Sequence, residues 1–356
     1  MTKKPTSIKD VAKAAGMSLG TVSGVLNGRT GFAEATRKKV WDAAHALNYT
    51  PSQPARCMRA GSGNGARAKS GIIIHITHLG QEGEAQDAFE ARRSLMLLKE
   101  AARLGLYPIT YRYRHLKGFQ CPPVLNGHVD GAIVGTPHLE VVDALRDKIP
   151  MVLMDVPFVP RLDADIPMVN MDYRFGFDVL FAKLRSLGHR SFATLVAQDP
   201  GEGVFGESHV VDAMRESAKR QGIDLADANR VEMRMTPRTH DQAMAKAAPM
   251  LADCIRKRGA TALVLPNPAY SLALRPRLAA LGIRVPQDVS LAHVHYGLGD
   301  DPSGCCSVRY VWPDLIETGL NVLKGLIAGD KALPCREYLI RPEFHPGATL
   351  AQCVNA

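Results

Sequence analysis

The sequence of 356 residues contains no long hydrophobic run and no paired pattern of cysteines. No stretch reaches the roughly 18–20 consecutive apolar residues of a membrane-spanning helix, so we do not expect a membrane protein. The opening residues, MTKKPTSIKD, are followed by no apolar core of a secretory signal. The seven cysteines are scattered, without a C-x-x-C pair or a cysteine–histidine cluster at zinc spacing. This scatter favours reduced thiols over a disulfide framework.

Acidic residues are scarce in one part of the chain only. The first 69 residues hold 12 lysine and arginine side chains, but their only carboxylates are Asp10, Glu34 and Asp42. The whole chain has 44 basic and 35 acidic residues and a net charge of +9, so the remaining residues are balanced. A short basic segment joined to a long neutral one is typical of a nucleic-acid-binding module fused to a second domain.

The first 50 residues predict three short helices. Ser7 and Asp10 fit a capping box at the start of the first helix, which Gly16 ends. Ser18 can cap a second helix, and a third extends from about Ala33 to Leu47. Two short helices joined by a glycine-containing turn, the second beginning with small polar residues, are typical of a helix-turn-helix. The second helix of that motif enters the DNA major groove.

Residues 51–70 contain two prolines, a predicted short helix over 52–60 and the linker-like run GSGNGARAKS. From Gly71 onward, strand and helix signals alternate, which is typical of βαβ units and parallel sheets. The predicted strands are 71–77, 108–113, 131–135, 151–155, 192–197, 262–265 and 289–294, and the predicted helices are 90–104, 140–148, 173–187, 208–221, 242–258 and 271–281. A pattern of this length predicts two doubly wound lobes with a ligand cleft between them.

With this helix-turn-helix, linker and alternating α/β pattern, the sequence resembles the LacI/GalR family of bacterial transcription regulators. The run IKDVAKAAGMSLGTVSGVLNG resembles the family's recognition unit, and EATRKKVWDAAHALNYTPSQPAR resembles its third helix and hinge entry. HVDGAIVGT, IPMVLMD, VNMDYRFGFDVLFAKLRSLGHRSFATL, RLAALGIRVPQDVSL and LIRPEFHPGAT resemble its effector domain in the expected order. The resemblance implies an N-terminal all-α helix-turn-helix domain. It also implies an α/β, two-lobed, periplasmic-binding-protein-like effector domain with doubly wound parallel sheets.

The expected domains are a DNA-binding headpiece at 1–50, a hinge helix and linker at 51–70, and an effector-sensing and dimerisation domain at 71–356. Within the last, we expect lobe 1 to contain about 71–170 plus 300–330, and lobe 2 about 171–299 plus 331–356.

The resemblance implies a DNA-binding transcription regulator rather than an enzyme, with repression as its expected effect. It implies a homodimer, or a tetramer as the alternative, that binds a near-palindromic operator in double-stranded DNA. A small-molecule effector is expected to modulate it, and no cofactor, metal or membrane partner is expected. Such a regulator is expected in the bacterial cytoplasm, associated with the nucleoid.

The residues expected to contact DNA lie in the headpiece and the hinge. They are Ser7, Ser18, Leu19, Gly20, Thr21, Ser23, Asn27, Thr36, Tyr49, Ala55 and Met58. By the resemblance, Met58 enters the minor groove between base steps, and packing against the partner's hinge helix is the alternative. Gly20 and Gly24 stand where the family commonly has a long side chain and an arginine. We therefore expect an unusual operator, read more by Leu19, Thr21 and the hinge than by arginine.

The expected effector pocket departs from the family's sugar-binding pattern. Sugar-binding members use an arginine, an Asn-Asp pair and an acidic pair, where this chain has Gly206 or Glu207, Asn267-Pro268 and His295-Tyr296. Buried sugar hydroxyls need such donors and acceptors, so we expect an effector that is not a typical sugar. The candidate lining residues are Phe205, Asn267, Tyr270, His295 and Tyr296, with packing as the alternative role.

Three further alternatives remain. Residues 201–206 match G-x-G-x-x-G, but Asp199-Pro200 separates them from the strand and Glu202 would repel a pyrophosphate, which favours an interlobe loop. The histidines at 75, 78, 293 and 295 fall near strand ends, where a structural role is favoured over metal binding. The alternative functions are a regulator whose sensor domain binds no ligand and an α/β nucleotide-binding enzyme with a DNA-binding head.

Overall fold

The structure is a computed structural model that describes residues 7–26, 31–47, 49, 69–78, 84–113, 119–125, 127–135, 139–156, 166–198, 208–234, 239–296, 301, 303–330 and 336–353. The chain divides into two compact units, Met1–Ser70 and Gly71–Ala356, called here the head unit and the two-sheet unit. Among the described residues, no helix is both long and apolar enough to cross a membrane.

The head unit contains the three predicted helices, α1 (Ile8–Ala15), α2 (Leu19–Leu26) and α3 (Glu34–Ala46). Gly16 ends α1 in the left-handed conformation, with a φ of 60°. The helices enclose a small apolar core, which contains Val11, Ala12, Ala15, Val22, Val25, Leu26, Val40 and Ala44. The predicted hinge helix over 52–60 lies outside the described residues.

The two-sheet unit begins with a parallel sheet of six strands, called sheet 1. Its order is β11-β5-β4-β3-β1-β2. The strands are β1 (Ile72–His78), β2 (Tyr107–Tyr113), β3 (Gly131–Gly135), β4 (Met151–Met154), β5 (Met168–Met171) and β11 (Glu337–Ile340). Its helices are α4 (Glu84–Arg103), α5 (Pro122–Leu125), α6 (Leu139–Leu145) and α11 (Trp312–Ala328).

The second sheet, sheet 2, has the order β12-β10-β9-β8-β6-β7 and is parallel except for β12. Its strands are β6 (Phe192–Gln198), β7 (Arg230–Arg234), β8 (Ala262–Leu265), β9 (Ser290–His295), β10 (Cys306–Arg309) and β12 (Glu343–His345). Its helices are α7 (Tyr173–Ser186), α8 (Ser208–Arg220), α9 (His240–Arg258) and α10 (Pro268–Ala280). Every residue of β8 and β9 is buried, as expected where helices cover both faces of a parallel sheet.

The predicted two-lobed α/β architecture is confirmed, and each predicted strand and helix of the two-sheet unit is present. The strands at 131–135 and 262–265 have the predicted ends, and the other elements differ at one end or both. The expected division between the lobes is wrong near the end of the chain. β10, expected in lobe 1, pairs with β9 in sheet 2, and β11, expected in lobe 2, pairs with β5 in sheet 1. The expected bounds put the second and third crossings between the sheets at about 300 and 331, whereas the chain makes them after β10 and after β11. Four-residue strands contain too little pattern to identify the neighbour with which they pair.

An aromatic cluster joins α7 to sheet 2. Phe181 is fully buried, with ring centroids 6.2 Å from Phe177 and 5.0 Å from Phe192. Phe175, on the same helix, is 38% exposed and lies under the Arg341 guanidinium. Phe175 and Phe181 therefore lie on the same helix but differ in burial.

We expect the Phe181→Ala substitution to lower the free energy of unfolding of the two-sheet unit by about 3–5 kcal/mol, because it leaves a cavity in a packed core. Urea unfolding followed by the fluorescence of the buried Trp312 measures this. The matched control is Phe175→Ala, with an expected loss below about 1 kcal/mol. Equal losses in the two variants would contradict the assignment of Phe181 to the core.

Candidate functional site

The exposed surface of α2 lies at its N-terminal end. Ser18, Leu19 and Gly20 are exposed, whereas Val22, Gly24 and the last two residues of the helix are buried in the head unit's core. The apolar spacing of α2 turns its C-terminal half inward and leaves its first turn accessible. Gly24, which stands where an arginine that reads bases is common, is therefore not on the exposed face of α2.

Ser18 fixes the start of α2. Its hydroxyl oxygen accepts a hydrogen bond from the Thr21 N–H at 3.0 Å and lies 2.9 Å from the Thr21 hydroxyl. This is an N-cap, which satisfies one of the helix's unpaired N–H groups and leaves the others accessible at the positive end of the helix dipole. Leu19, 42% exposed, is the large apolar side chain at this end. The first turn of α2 is therefore a suitable surface for an anion such as a DNA phosphate.

The other expected DNA contacts have mixed environments. Ser7 begins α1, where its N–H and its hydroxyl both donate to Asp10 Oδ2, at 2.8 and 2.7 Å. Ser23 and Thr36 are half-buried, and Tyr49 packs against the head unit's core. Asn27, Ala55 and Met58 lie outside the described residues.

Exposed basic side chains accompany these groups on the neighbouring helices. Lys9 and Lys13 are exposed on α1, and the sequence Arg37-Lys38-Lys39 is exposed on α3. On the described part of the head unit, cations therefore outnumber carboxylates at the surface, as a phosphate-binding surface requires.

The expected effector residues have separate roles in the two-sheet unit. Asn267 caps α10, where its Oδ1 accepts a hydrogen bond from the Ala269 N–H at 2.9 Å. Tyr270 is buried in the core of sheet 2, with its ring stacked 5.9 Å from that of His240. The Tyr296 carbonyl accepts a hydrogen bond from Trp312 Nε1 at 2.8 Å, and its ring lies 5.0 Å from Tyr310. Tyr270 therefore packs within this core, and its expected role as an effector-lining residue stays a prediction.

His295 is the last residue of β9 and is buried beside His293 on the same strand. Phe205, the positions Gly206 and Glu207 and the whole glycine-rich loop lie outside the described residues. The four histidines expected near strand ends lie on two different sheets. Positions 75 and 78 belong to sheet 1, and positions 293 and 295 belong to sheet 2.

A polar cluster that sequence analysis missed lies at the carboxyl end of sheet 1. Arg93 and Glu90 on α4 form a buried ion pair at 2.7 Å, and the Arg93 guanidinium lies 5.9 Å from the centre of the Trp312 ring. His75, on β1, is fully buried, and neither of its ring nitrogens has a hydrogen-bond partner among the described residues. Burial and the Arg93 cation lower the pKa of His75 to about 3, so its imidazole is neutral.

Asp155 belongs to the same cluster and follows β4 directly. Its φ of 55° is in the left-handed region, which aspartate tolerates better than most residues. Burial raises the pKa of Asp155 to about 7, against the opposing effect of the Arg93 cation and with a smaller contribution from Glu90. Burial, followed by the nearby Asp155 charge, raises the pKa of Tyr310 well above its usual range. Asp172, by contrast, caps α7 through a 3.0 Å hydrogen bond from the Phe175 N–H.

One signal in the sequence could have identified the ion pair. Glu90 and Arg93 stand at helical spacing with Leu97 and Ala101, and all four are buried. Charged residues within a helix's apolar stripe need a buried partner, and they mark a polar site.

Two family models match the chain. One, described as bacterial regulatory proteins of the lacI family, matches residues 7–52. The other, described as a periplasmic binding protein-like domain, matches residues 181–350.

Curated relatives match over most of the chain. It is 25% identical over 298 residues to the HTH-type transcriptional regulator DegA of Bacillus subtilis, which is 80% of each chain. It is 28% identical over 299 residues to the HTH-type transcriptional repressor PurR of Vibrio vulnificus, again 80% of each. Over 53 residues, 15% of this chain and 16% of the relative, it is 53% identical to PurR of Aliivibrio fischeri strain ES114.

Solved structures share the fold. The crystal structure of the lac repressor dimer bound to operator and the anti-inducer ONPF has a TM-score of 0.74 and 20% identity, covering 98% of this chain and 100% of that one. The complex of the transcriptional regulator CelR with cellobiose has a TM-score of 0.60 and 19% identity, covering 97% and 99%.

We expect Asp155 to make the two-sheet unit less stable as the pH rises. The folded protein keeps a proton up to a pKa of about 7, whereas the unfolded chain releases it near pH ~4. The contribution is therefore complete below about pH 4 and lost as the pH rises through about 7. The Asp155→Asn variant cannot ionise, so its free energy of unfolding minus that of the wild type should increase between about pH 5 and 8 in urea unfolding.

The control is Asp288→Asn. Hydrogen bonds from Arg284 hold the pKa of Asp288 at about 2, so the corresponding difference should not change over this pH range. An Asp155→Asn difference that is equally flat would show that the carboxyl is ionised throughout.

Proposed function

Because the chain belongs to the LacI family of bacterial regulatory proteins, we propose that this DNA-binding transcription regulator is a repressor that binds a near-palindromic operator as a homodimer. The observation that carries the proposal is the exposed, capped N-terminal end of α2 within a basic helix-turn-helix. The relatives are named as a transcriptional regulator and as transcriptional repressors rather than as enzymes, and the lac repressor structure is a dimer on its operator.

The proposed base-reading surface is the first turn of α2. Gly20 has no side chain and Gly24 is buried, so Leu19 is the large exposed side chain at this end of the helix. An apolar side chain contacts the thymine methyl group in the major groove but forms no bidentate hydrogen bonds with guanine. The operator is therefore read through thymine methyl groups near α2, while the exposed lysines and arginines supply affinity without sequence preference.

The proposed dimer face lies on sheet 1. β2 is the edge strand of that sheet, and its Tyr107 and Ile109 are exposed. On α4, which packs beside β2, Leu95 and Leu98 are three residues apart and exposed on one side of the helix. Apolar side chains that cluster around an open sheet edge mark an interaction surface, and a two-fold dimer buries the same patch on both subunits.

The proposed effector is a small molecule other than a typical sugar. Asn267 is engaged as a helix cap, Pro268 has no N–H, and histidine replaces an acidic group at 295. At the end of sheet 1 the polar groups are Arg93, Glu90 and Asp155, and burial raises the pKa of this aspartate to about 7. These charged groups suit a ligand with ionisable substituents better than one with hydroxyl groups alone.

The DNA-reading proposal is tested with the Leu19→Ala variant. Selection of the full-length protein against random double-stranded DNA yields the operator, and fluorescence anisotropy gives the affinity. We expect Leu19→Ala to weaken operator binding by about tenfold, equivalent to ~1.4 kcal/mol, because an apolar base contact is lost. Alanine favours the helix at least as well as leucine does, so α2 remains folded.

The control for this measurement is Leu125→Ala, since Leu125 is 50% exposed and lies in the two-sheet unit. Its operator affinity should equal that of the wild type. Selected sequences without two-fold symmetry, or an unchanged affinity for Leu19→Ala, would refute the proposed reading mode.

The dimer proposal is tested with Leu98→Glu. A charge within a buried apolar interface has no compensating partner, so we expect the dimer to dissociate about tenfold or more readily in sedimentation equilibrium. Leu98 and Leu125 are 48% and 50% exposed, which makes Leu125→Glu the matched control, with unchanged association. A monomeric wild type, or a Leu98→Glu variant that associates normally, would exclude this face.

A further inference from the structure

Three potential metal ligands converge at the carboxyl end of β9. His293 and His295 are two residues apart on this strand, so their side chains point to the same face of sheet 2. Both are buried, with ring centroids 6.1 Å apart. Asp301 lies beside them, and one ligand atom from each of the three residues lies within 4.8 Å of the other two.

In the contact between His293 and Asp301, a ring nitrogen and a carboxylate oxygen face each other at short distance. His293 Nε2 and Asp301 Oδ2 are 2.9 Å apart, and both side chains are almost completely buried. Neither atom has a hydrogen-bond partner of acceptable geometry among the described residues. With the His293 proton on Nδ1, donated to the Ser271 hydroxyl, Nε2 and Oδ2 are two lone-pair atoms that one cation between them satisfies.

Neighbouring hydrogen-bonding groups fix the orientation of the His293 and Asp301 side chains, as is usual for residues that bind a metal ion. The other ring nitrogen of His293, Nδ1, lies 2.8 Å from the buried Ser271 hydroxyl, which holds the ring with Nε2 directed at Asp301. The other carboxylate oxygen of Asp301 accepts a hydrogen bond from the Ser303 N–H at 2.9 Å. Metal-bound histidines and carboxylates normally have such outer hydrogen bonds, which select the tautomer and fix the ligand's direction.

The same residues form a Ser271–His293–Asp301 chain, but this is not a nucleophilic triad. Ser271 is fully buried in the first turn of α10 and is hydrogen-bonded to the histidine from inside the core. A nucleophile must be accessible to its substrate. Ser271 is therefore a positioning residue for His293.

We propose that His293, His295 and Asp301 form a binding site for a divalent transition-metal ion of the zinc class. Two imidazoles and one carboxylate suit Zn²⁺, Co²⁺ or Ni²⁺ better than the hard ions Ca²⁺ and Mg²⁺. At bond lengths of about 2.0–2.2 Å, tetrahedral ligand atoms lie roughly 3.4 Å apart, so side-chain movements of about an ångström close the site. Three protein ligands leave a fourth position for water or for a small molecule.

The nearby charges permit binding. Asp301 neutralises one positive charge of the ion. Arg309, which pairs with His295 across the sheet, has its Nε directed at the Ser307 hydroxyl at 3.3 Å. The site lies in the two-sheet unit and the DNA-reading surface of α2 lies in the head unit, so metal binding is measured in the absence of DNA.

The experiment uses the full-length protein without a histidine tag, stripped with EDTA and then titrated with ZnCl₂ by calorimetry and with CoCl₂ by visible spectroscopy. We expect one ion per chain and the d–d bands of four-coordinate cobalt, without the thiolate charge-transfer band that binding by cysteines would give. A wild-type protein that binds no stoichiometric ion, or that shows the thiolate band alone, would overturn the proposal.

Single substitutions test which residues bind the ion. We expect His295→Gln and Asp301→Asn each to weaken zinc binding by about a hundredfold or more, while the exposed His128→Gln control binds as the wild type does. Ser271→Ala should lower the affinity by about 10–100-fold with an unchanged cobalt spectrum, because it disturbs only the orientation of His293. Zinc affinity that persists in His295→Gln would contradict the assignment, and circular dichroism with operator binding checks that each variant is folded.

Discussion

The two sheets of the larger unit are parallel except for β12, and the burial of their inner strands determines where the unit's chemistry can lie. The inner strands are mostly apolar, and β8 and β9 have no exposed position. A charged or polar side chain in the middle of such a strand would lose its hydration without a partner. Asp155 and His295 accordingly lie at strand ends and Arg93 lies on a helix that packs there, whereas His75 and His293 lie within β1 and β9.

Polar groups that do enter the interior are paired or oriented by a neighbour. Arg93 is buried with Glu90, and His293 is buried between Ser271 and Asp301. Removing one partner from such a group costs more than the pair contributes, because the remaining charge or dipole stays desolvated. His75 is the exception, since neither of its ring nitrogens has a hydrogen-bond partner among the described residues; burial, followed by the Arg93 cation, lowers its pKa to about 3 and keeps the ring neutral. These groups give the interior of the two-sheet unit two distinct polar sites, one at the end of each sheet.

The head unit depends on a different balance. Its core consists of a few small apolar side chains, so the capping interactions of Ser18 and Ser7 contribute a larger share of its stability than they would in the two-sheet unit. The Ser18 cap also directs the accessible N–H groups of α2 outward. In the proposed reading mode, Ser18 thus serves both stability and DNA recognition, and the exposed Leu19 beside it is not part of the head unit's core.

The sequence by itself determined the properties that depend on near neighbours along the chain. Helical spacing and caps located α1 to α3, and alternation of strands and helices indicated two parallel sheets. The uneven distribution of charge located the nucleic-acid-binding end. The Glu90–Arg93 pair was missed, although two charges within an apolar stripe are a local signal that could have identified it.

Only the tertiary structure decided which distant residues meet. It placed β10 in sheet 2 and β11 in sheet 1, because a short strand pairs with whichever edge the fold presents. It shows that Tyr270 lies in the core of sheet 2 and that Asn267 caps α10. It also shows that His75 and His293 lie on different sheets. It also brought Asp301 to His293 across a connection without a sequence pattern. Local pattern specifies the conformation of a segment, whereas contacts between segments depend on the packing of the whole unit.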